Sequence, residues 1–326
     1  MRRLKFVYLL LGMALLGVII AQTDLAEVAR RVAQMGWGMA IVIGLYFVTF
    51  GIDSLTWQVT LTGAPLNLRW LGRMWKVRLV GEAFNMTVPA GGMGGEPVKA
   101  VLLKTHYDVD YRDGVASMFL AKTANMIGLA LFLASGFALM LGHGAIPDGY
   151  KAAAGIGLAG FAAATVIFFS IQRLKLSSSA AARLSRWRLG RWLAGGMEHI
   201  HEVESRFVEF YGGRKARFAA VVALAVASWV IGVFETYYAL TFLGGEVTIM
   251  DAWVIEAMAQ MMRMGSFFIP ASIGVQDGAF VLMCAAITGS PSLGVAVALV
   301  RRLREIIWVG AGFTLASVFS MKPADR

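Results

Sequence analysis

The sequence contains few of the residues on which disulfide scaffolds, metal sites and soluble surfaces depend. It has one cysteine, Cys284, and four histidines in 326 residues. A single cysteine cannot form an intramolecular disulfide, and the scattered histidines provide no zinc or iron–sulfur spacing. Charged residues make up 15% of the chain, against about 25% in soluble globular proteins. We therefore expect no metal or other cofactor, and the composition excludes an ordinary soluble enzyme.

Long apolar runs dominate what remains. Hydrophobic residues make up 58% of the chain, and about 20 consecutive apolar residues cross a bilayer core of roughly 30 Å. The first run is favoured as a transmembrane helix over a signal peptide, because it is long and no clear cleavage site follows it. The predicted spans are residues 6–21, 37–61, 114–141, 152–171, 218–243 and 293–319.

Two further apolar stretches, 79–103 and 258–287, are interrupted by Pro89 with paired glycines and by Pro270 with Gly274. Irregular backbone at membrane depth persists only where protein or a wet cavity satisfies its polar groups, so such breaks tend to line sites. We predict two re-entrant hairpins. Two complete helices with kinks are the alternative.

The distribution of lysine and arginine predicts the orientation. Basic residues concentrate in a predicted loop from Arg69 to Arg78 and in the linker 173–217, which places both with the N-terminus and the C-terminus in the cytoplasm. The segment 244–256, which contains Glu256 and no Lys or Arg, then lies on the opposite side. The net charge of +10 is explained by cytoplasmic charge that faces anionic lipid, so we expect no nucleic acid partner. We expect a bacterial inner membrane protein.

A self-comparison finds an internal repeat. The stretch 88–90 with Glu96 matches 269–271 with Asp277 at an offset of about 181, and residues 114–116 match 294–296 at an offset of about 180. The predicted fold class is an all-α polytopic membrane protein with about six full transmembrane helices plus two re-entrant helical hairpins arranged as an inverted repeat. The predicted divisions are an N-terminal helix and loop (1–36), repeat 1 (37–141), a connecting span with a basic amphipathic linker (142–217), repeat 2 (218–321) and a tail (322–326).

Ionisable residues inside predicted spans indicate a polar interior, since each costs about 2.5 to 3.5 kcal/mol on insertion. Glu305 is spaced to pair with Arg301 or Arg302 but cannot neutralise all the arginines nearby, so the surplus is positive. This surplus favours an anion-binding site, because the arginine fork suits phosphate oxygens. The alternative is an internal ion network. The acidic residues of that network are also the candidate proton carriers: Asp53, Glu96, Glu235 and Asp277.

Glu82 and Arg263 each stand seven residues before a hairpin proline. They are candidates for an ion pair between the repeats, and a charge that reaches the membrane edge is the alternative for either. No serine or cysteine has an evident base nearby, so we predict no catalytic residues and a protein that is not an enzyme.

The stretch 85–99 carries Asn85, Pro89, the triplet Gly94-Gly95-Glu96 and Lys99. With the second signature at 270–278, it resembles the lysylphosphatidylglycerol synthase transmembrane-region family, also called flippase-like membrane proteins. The resemblance covers nearly the whole chain. Lysine stands where arginine is commoner in the family, which weakens bidentate phosphate binding at this position.

The resemblance implies a stand-alone lipid flippase, similar to members associated with hopanoid biosynthesis, with membrane lipids and lipid-biosynthesis enzymes as partners. The lipid would be a phospholipid, an isoprenoid phosphate or a hopanoid-type amphiphile. The alternatives are a membrane transferase or phosphatase that acts on a lipid phosphate, and a non-transporting scaffold. The predicted substrate-binding residues are Asn85, Pro89, Gly94, Gly95, Glu96, Lys99, Lys122, Asn125, Pro270, Gly274, Asp277, Arg301, Arg302, Arg304 and Glu305.

Overall fold

The structure is a computed structural model that describes residues 25–87, 94–173, 210, 213, 215–266, 269 and 272–319. Ten helices and no strands occur in these ranges. The helices are α1 (Leu25–Gln34), α2 (Gly38–Thr60), α3 (Leu68–Thr87), α4 (Glu96–Tyr107), α5 (Tyr111–Leu141), α6 (Asp148–Arg173), α7 (Lys215–Phe242), α8 (Ile249–Gly265), α9 (Val275–Thr288) and α10 (Pro291–Val318).

Local sequence signals fix several helix starts. At α8, the Thr248 hydroxyl accepts from the backbone of Asp251, and the Asp251 carboxylate accepts in return from the Thr248 backbone. This capping box satisfies two backbone donors that a helix start leaves free. Asp110 caps α5 in a similar way, and Pro291 at the first position of α10 needs no hydrogen-bond partner for its nitrogen. Capping residues and proline therefore define helix starts that the apolar periodicity alone does not predict.

Within the described ranges, four helices are long and apolar enough to cross a membrane, namely α2, α5, α6 up to Ile171, and α7. These four correspond to predicted spans, and the protein is therefore a multi-pass membrane protein. Helix α10, with 28 residues, is long enough at about 1.5 Å per residue but carries four charged side chains. The first predicted span, residues 6–21, lies outside the described residues, as do Pro89, Pro270 and most of the basic linker.

The order of the helices repeats along the chain. A long helix, a helix of about 20 residues, a break, a short helix and a second long helix make up α2 to α5, and α7 to α10 follow the same order. The short helices α4 and α9 have 12 and 14 residues. At about 1.5 Å per residue, neither can cross roughly 30 Å of hydrocarbon alone. The two breaks therefore fall where the sequence predicts them.

The two halves pack closely against each other. Helix α2 lies along α7, α3 packs against α10, and α5 packs against α8. A glycine permits each of the last two contacts: a Cβ on Gly312 would lie 2.7 Å from the Leu79 carbonyl oxygen, and a Cβ on Gly136 would lie 2.5 Å from the Ala257 side chain. Small residues allow helix backbones to approach in lipid, where burial provides little drive for association.

Two charged segments differ from their interpretation in the sequence. The segment from Arg69 to Arg78 was expected to be a loop, but it is helical within α3. Glu256, assigned with residues 244–256 to the side opposite the cytoplasm, lies within α8 and is 1% exposed. In both cases charged residues lower the mean hydropathy of a helix. Arg78 and Glu256 line the interior cavity, whereas Arg69 and Lys76 are exposed.

Candidate functional site

A cavity of about 450 Å³ lies between the two halves, enclosed by α2, α3, α4, α5, α7, α8 and α10. Its volume falls within the range of roughly 300 to 1,000 Å³ that is typical of ligand pockets. Part of the wall is apolar and includes four methionines, whose flexible thioethers adapt to irregular ligands. The charged residues of the wall comprise six acids and six bases: Asp53, Glu82, Glu96, Glu235, Glu256, Glu305, Arg78, Lys99, Lys122, Arg263, Arg301 and Arg304.

Helix α10 brings Arg301 and Arg304 to the cavity from positions three residues apart, which share one helical face. Arg304 is 3% exposed and forms an ion pair with Glu235 of α7. Arg301 forms an ion pair with Glu256 of α8. A buried charge of this kind is tolerated only when it is paired and hydrogen-bonded. Both arginines are therefore paired with carboxylates of other helices.

The Glu256 carboxylate is the most fully bonded acid of the cavity. Besides its contact with Arg301, it accepts a hydrogen bond of 2.6 Å from the Thr236 hydroxyl and one of 2.7 Å from the Gln260 amide. Gln260 and Glu256 are four residues apart on α8 and so lie on one face. The network fixes the orientation of α7, α8 and α10 relative to one another.

Arg302 points away from the cavity, toward α9. Its guanidinium makes two hydrogen bonds to the Asp277 carboxylate, of 3.2 and 3.0 Å, and one of 2.7 Å to Glu305. The backbone N–H of Gly274 also donates to Asp277, at 2.9 Å. The positive φ of Gly274, 81°, is a conformation that glycine adopts readily. This cluster anchors the start of α9 at the second break.

The first break is closed by Asn85. Its side-chain oxygen accepts a hydrogen bond of 2.7 Å from the Gly95 backbone, which joins the end of α3 to the start of α4. Glu96 in the first turn of α4 pairs with Lys99 at 3.0 Å. A Cβ on Gly95 would lie 1.8 Å from the Gly81 carbonyl oxygen, so only glycine permits this approach. Each break thus has a carboxylate in the first turn of the short helix that follows it.

A third cluster joins α2, α3 and α7. The Arg78 guanidinium donates to the Asp53 carboxylate at 2.7 Å and to the Phe50 carbonyl oxygen at 3.1 Å. The Ser228 hydroxyl donates to the other Asp53 oxygen at 2.6 Å. All hydrogen bonds of this cluster connect helices on the cavity wall, so it holds the wall together and leaves Asp53 without a free oxygen.

Three charged residues of the cavity wall stand apart from these clusters. Lys122 on α5 is exposed, Arg263 on α8 is half-buried, and neither forms an ion pair with another residue in the described part of the chain. Glu82 on α3 likewise has no ion pair there, and its nearest polar contact is the Asn85 amide at 3.4 Å. Glu82 and Arg263 are therefore both on the cavity wall, but they do not form the ion pair for which they were candidates.

Many residues that the sequence singles out as substrate-binding line the cavity: Asn85, Glu96, Lys99, Lys122, Asn125, Arg301, Arg304 and Glu305. Others are described but lie outside its wall: Gly94, Gly95, Gly274, Asp277 and Arg302. The expected positive surplus on α10 is matched by carboxylates from other helices. The four candidate proton carriers, Asp53, Glu96, Glu235 and Asp277, each form an ion pair. Glu235 and Asp277 pair with arginines of α10, as in the internal ion network that was the alternative, whereas Asp53 and Glu96 pair with Arg78 and Lys99.

Sequence reasoning overlooked Glu256, Gln260 and Arg78. Glu256, Gln260 and Arg263 follow an i, i+4, i+7 spacing, which places all three on one face of a helix. Arg78, Glu82 and Asn85 follow the same spacing on α3. This polar stripe within an otherwise apolar stretch is the signal that could have identified both cavity walls.

Several bilayer-length helices around a charged interior cavity define a polytopic membrane protein with a polar site between its halves. The chain belongs to the family described as the lysylphosphatidylglycerol synthase transmembrane region, whose model matches residues 5–312. It is 22% identical over 320 residues to a UPF0104 membrane protein of Methanothermobacter thermautotrophicus, covering 94% of this chain and 91% of that protein. A UPF0104 membrane protein of Pyrococcus horikoshii is 19% identical over 314 residues, covering 92% of each chain. No solved structure matches the chain.

Proposed function

We propose that this protein moves a lipid with an anionic headgroup between the two leaflets of a membrane, and that the headgroup binds in the cavity beside Lys122 and Arg263. The observation that carries the proposal is that these two cations line the cavity and neither forms an ion pair with a carboxylate among the described residues. A charge inside a membrane protein that lacks a structural partner usually marks a ligand or ion path. A phosphate is the common lipid group that such cations bind.

Membership of a family named for a lipid-synthesis enzyme supports a lipid as the ligand. The cavity offers space for a headgroup, and its methionine-rich wall can contact the first carbons of the tails. The first candidates from the sequence were Arg301, Arg302 and Arg304. In this proposal they hold the helices together, because each already forms an ion pair. The free cations Lys122 and Arg263 take over the role of binding the anion.

The repeated helix order supports an inverted repeat with two re-entrant hairpins, α3–α4 and α8–α9. Paired broken segments around a midplane site are a recurrent plan of secondary transporters. In this arrangement the cavity lies between the repeats and can face one leaflet at a time. We further propose that the protein resides in the bacterial inner membrane with both termini in the cytoplasm. The distribution of lysine and arginine supports this orientation. Lipid-biosynthesis enzymes are the partners that fit this role.

The test is leaflet exchange in phosphatidylcholine vesicles that contain the purified full-length protein. A phosphatidylglycerol with a fluorescent acyl chain reports exchange when an impermeant reagent quenches the outer leaflet, and mass spectrometry checks the same lipid for chemical change. Wild type should accelerate exchange of unaltered lipid, and Lys122→Gln combined with Arg263→Gln should lower the rate by at least tenfold. Lys76→Gln is the matched control, because Lys76 is an exposed cation on α3 that does not line the cavity.

Equal exchange in wild type and the double variant, with both proteins folded, contradicts the assignment of the headgroup site. Chemical conversion of the lipid points instead to a transferase or phosphatase. If the protein shows neither activity, and only substitutions in the basic linker impair its function in cells, the result points to a scaffold. A fluorescent phosphatidylcholine tested in parallel shows whether the net negative charge of the headgroup is what the cavity requires.

A further inference from the structure

Glu82 differs from the other carboxylates of the cavity. Each of the other five forms an ion pair with an arginine or lysine, whereas Glu82 forms none with any residue in the described ranges. Its one polar contact, with the Asn85 amide at 3.4 Å, is long for a hydrogen bond. The five pairs are Asp53–Arg78, Glu96–Lys99, Glu235–Arg304, Glu256–Arg301 and Glu305–Arg302. Glu82 is therefore the cavity carboxylate that can gain a proton without breaking an ion pair.

The charges around Glu82 come from every helix that surrounds it. Arg78 of α3, Lys99 of α4 and Arg263 of α8 act on it electrostatically, and the Tyr46 hydroxyl of α2 is also within electrostatic range. Arg78 and Lys99 are committed to Asp53 and Glu96. On α10, Glu305 interacts with Arg263, and Arg304 stacks on the Tyr46 ring at 3.9 Å. Arg263 is thus the uncommitted cation that balances Glu82.

The cavity wall has equal numbers of acids and bases, so an anion that enters alone leaves one uncompensated negative charge in a low-dielectric interior. Such a charge is costly. An anion on Arg263 also removes the cation that balances Glu82 and adds a second negative charge near it. Both effects favour the neutral, protonated form of Glu82, because like charges in proximity favour proton uptake. Binding of one proton restores the charge balance.

We propose that Glu82 is a proton-binding site coupled to the headgroup site, so that a monoanionic headgroup and one proton occupy the cavity together. The inference rests on the proposed function and adds the coupling ion. The coupling is reciprocal: the anion favours the proton and the proton favours the anion. The dissociation constant for the anion therefore falls by up to tenfold for each unit by which pH is lowered, over the range in which the bound and free states differ in protonation. Transport of a monoanionic lipid with its proton moves no net charge.

The experiment measures protons taken up when full-length protein in detergent binds dihexanoylphosphatidylglycerol, a short-chain lipid that dissolves in water. Its phosphodiester stays charged between pH 5 and 8, so the protons are taken up by the protein. Titration calorimetry in two buffers with different ionisation enthalpies gives the number of protons per lipid. Wild type should take up about one proton at the pH of maximal coupling. Glu82→Gln should take up close to none and should bind with an affinity that does not vary with pH.

Glu246→Gln is the matched control, because Glu246 is an exposed carboxylate outside the cavity, and it should behave as wild type. Lipid binding to wild type without proton uptake overturns the inference and leaves the proposed function intact. Uptake that persists in folded Glu82→Gln also overturns it, because another group then carries the proton. Failure of wild type both to bind the lipid and to exchange it between leaflets overturns the proposed function itself. The wild-type measurement is decisive even if Glu82→Gln fails to fold.

Discussion

Neutralising Glu256 should destabilise the protein strongly, and a second substitution at Arg301 should reverse most of the loss. The Glu256 side chain is 2% exposed and the Arg301 side chain 11% exposed, so Glu256→Gln leaves a buried cation without its partner. Removal of one partner from a buried ion pair costs about 3 to 5 kcal/mol. Arg301→Met alone leaves the carboxylate unpaired at a similar cost. The double variant leaves no unpaired charge, and we expect it to lose less than about 2 kcal/mol.

The assay is reversible unfolding in mixed micelles at increasing sodium dodecyl sulfate, monitored by the fluorescence of the protein's nine tryptophans. Glu246→Gln, a change at an exposed carboxylate, serves as the control and should alter the free energy of unfolding by less than about 0.5 kcal/mol. Independent sites add within about 0.5 kcal/mol. A double variant whose loss equals the sum of the two single losses would falsify the claim that this pair stabilises the contact between α8 and α10.

Two further predictions concern the first break and the start of α8. Gly95→Ala should lower the melting temperature or prevent folding, since its Cβ would lie 1.8 Å from the Gly81 carbonyl oxygen, whereas Gly72→Ala, in open space on α3, should be neutral or stabilising by up to about 1 kcal/mol. Burial opposes ionisation of Asp251, but hydrogen bonds from the helix cap and from His143 outweigh it and lower its pKa. Its stabilising effect should therefore be complete above about pH 4 and fade at lower pH, so that the difference in melting temperature between wild type and Asp251→Asn shrinks there.

Hydropathy and glycine–proline punctuation predicted the helices well. The predicted span 114–141 corresponds to α5, and the predicted break of 79–103 separates α3 from α4. These features follow from the chain's local composition, because a helix in lipid must be apolar over the bilayer thickness. The first part of helix α3 was not predicted, because the charged residues from Arg69 to Arg78 raise its polarity. Hydropathy averages a helix around its axis and so cannot distinguish charges that face a cavity from charges in a loop.

Some of the residues that line the cavity were predictable from the sequence, but their pairing was not. Lys122 and the α10 arginines were recognisable because charges inside spans are costly. Which carboxylate each one contacts depends on how helices distant in sequence pack. Arg304 and Glu235 are 69 residues apart, and Arg301 and Glu256 are 45 apart. The positive surplus was predicted because α10 was considered alone. That Arg263 has no ion pair among the described residues becomes evident only when the partners of the other charged residues are known.

The ion pairs of the cavity divide between the two halves of the chain. In the first half, the Asp53 pair joins α2 to α3 and the Glu96 pair lies within α4. In the second half, the Glu235 and Glu256 pairs join α7 and α8 to α10, and the Glu305 pair lies within α10. None of these pairs connects one half with the other. The polar contacts that do connect them across the cavity are weaker and include the Asp53–Ser228 hydrogen bond and the stacking of Arg304 on Tyr46.

A relative movement of the halves therefore separates no cavity ion pair. The cavity residues without an ion pair in the described ranges come from both halves: Glu82, Lys122 and Arg263. Such a division suits the proposed transport, in which the cavity would change the side on which it opens. The costly buried charges would stay paired throughout, and only the groups proposed to bind the lipid would exchange partners.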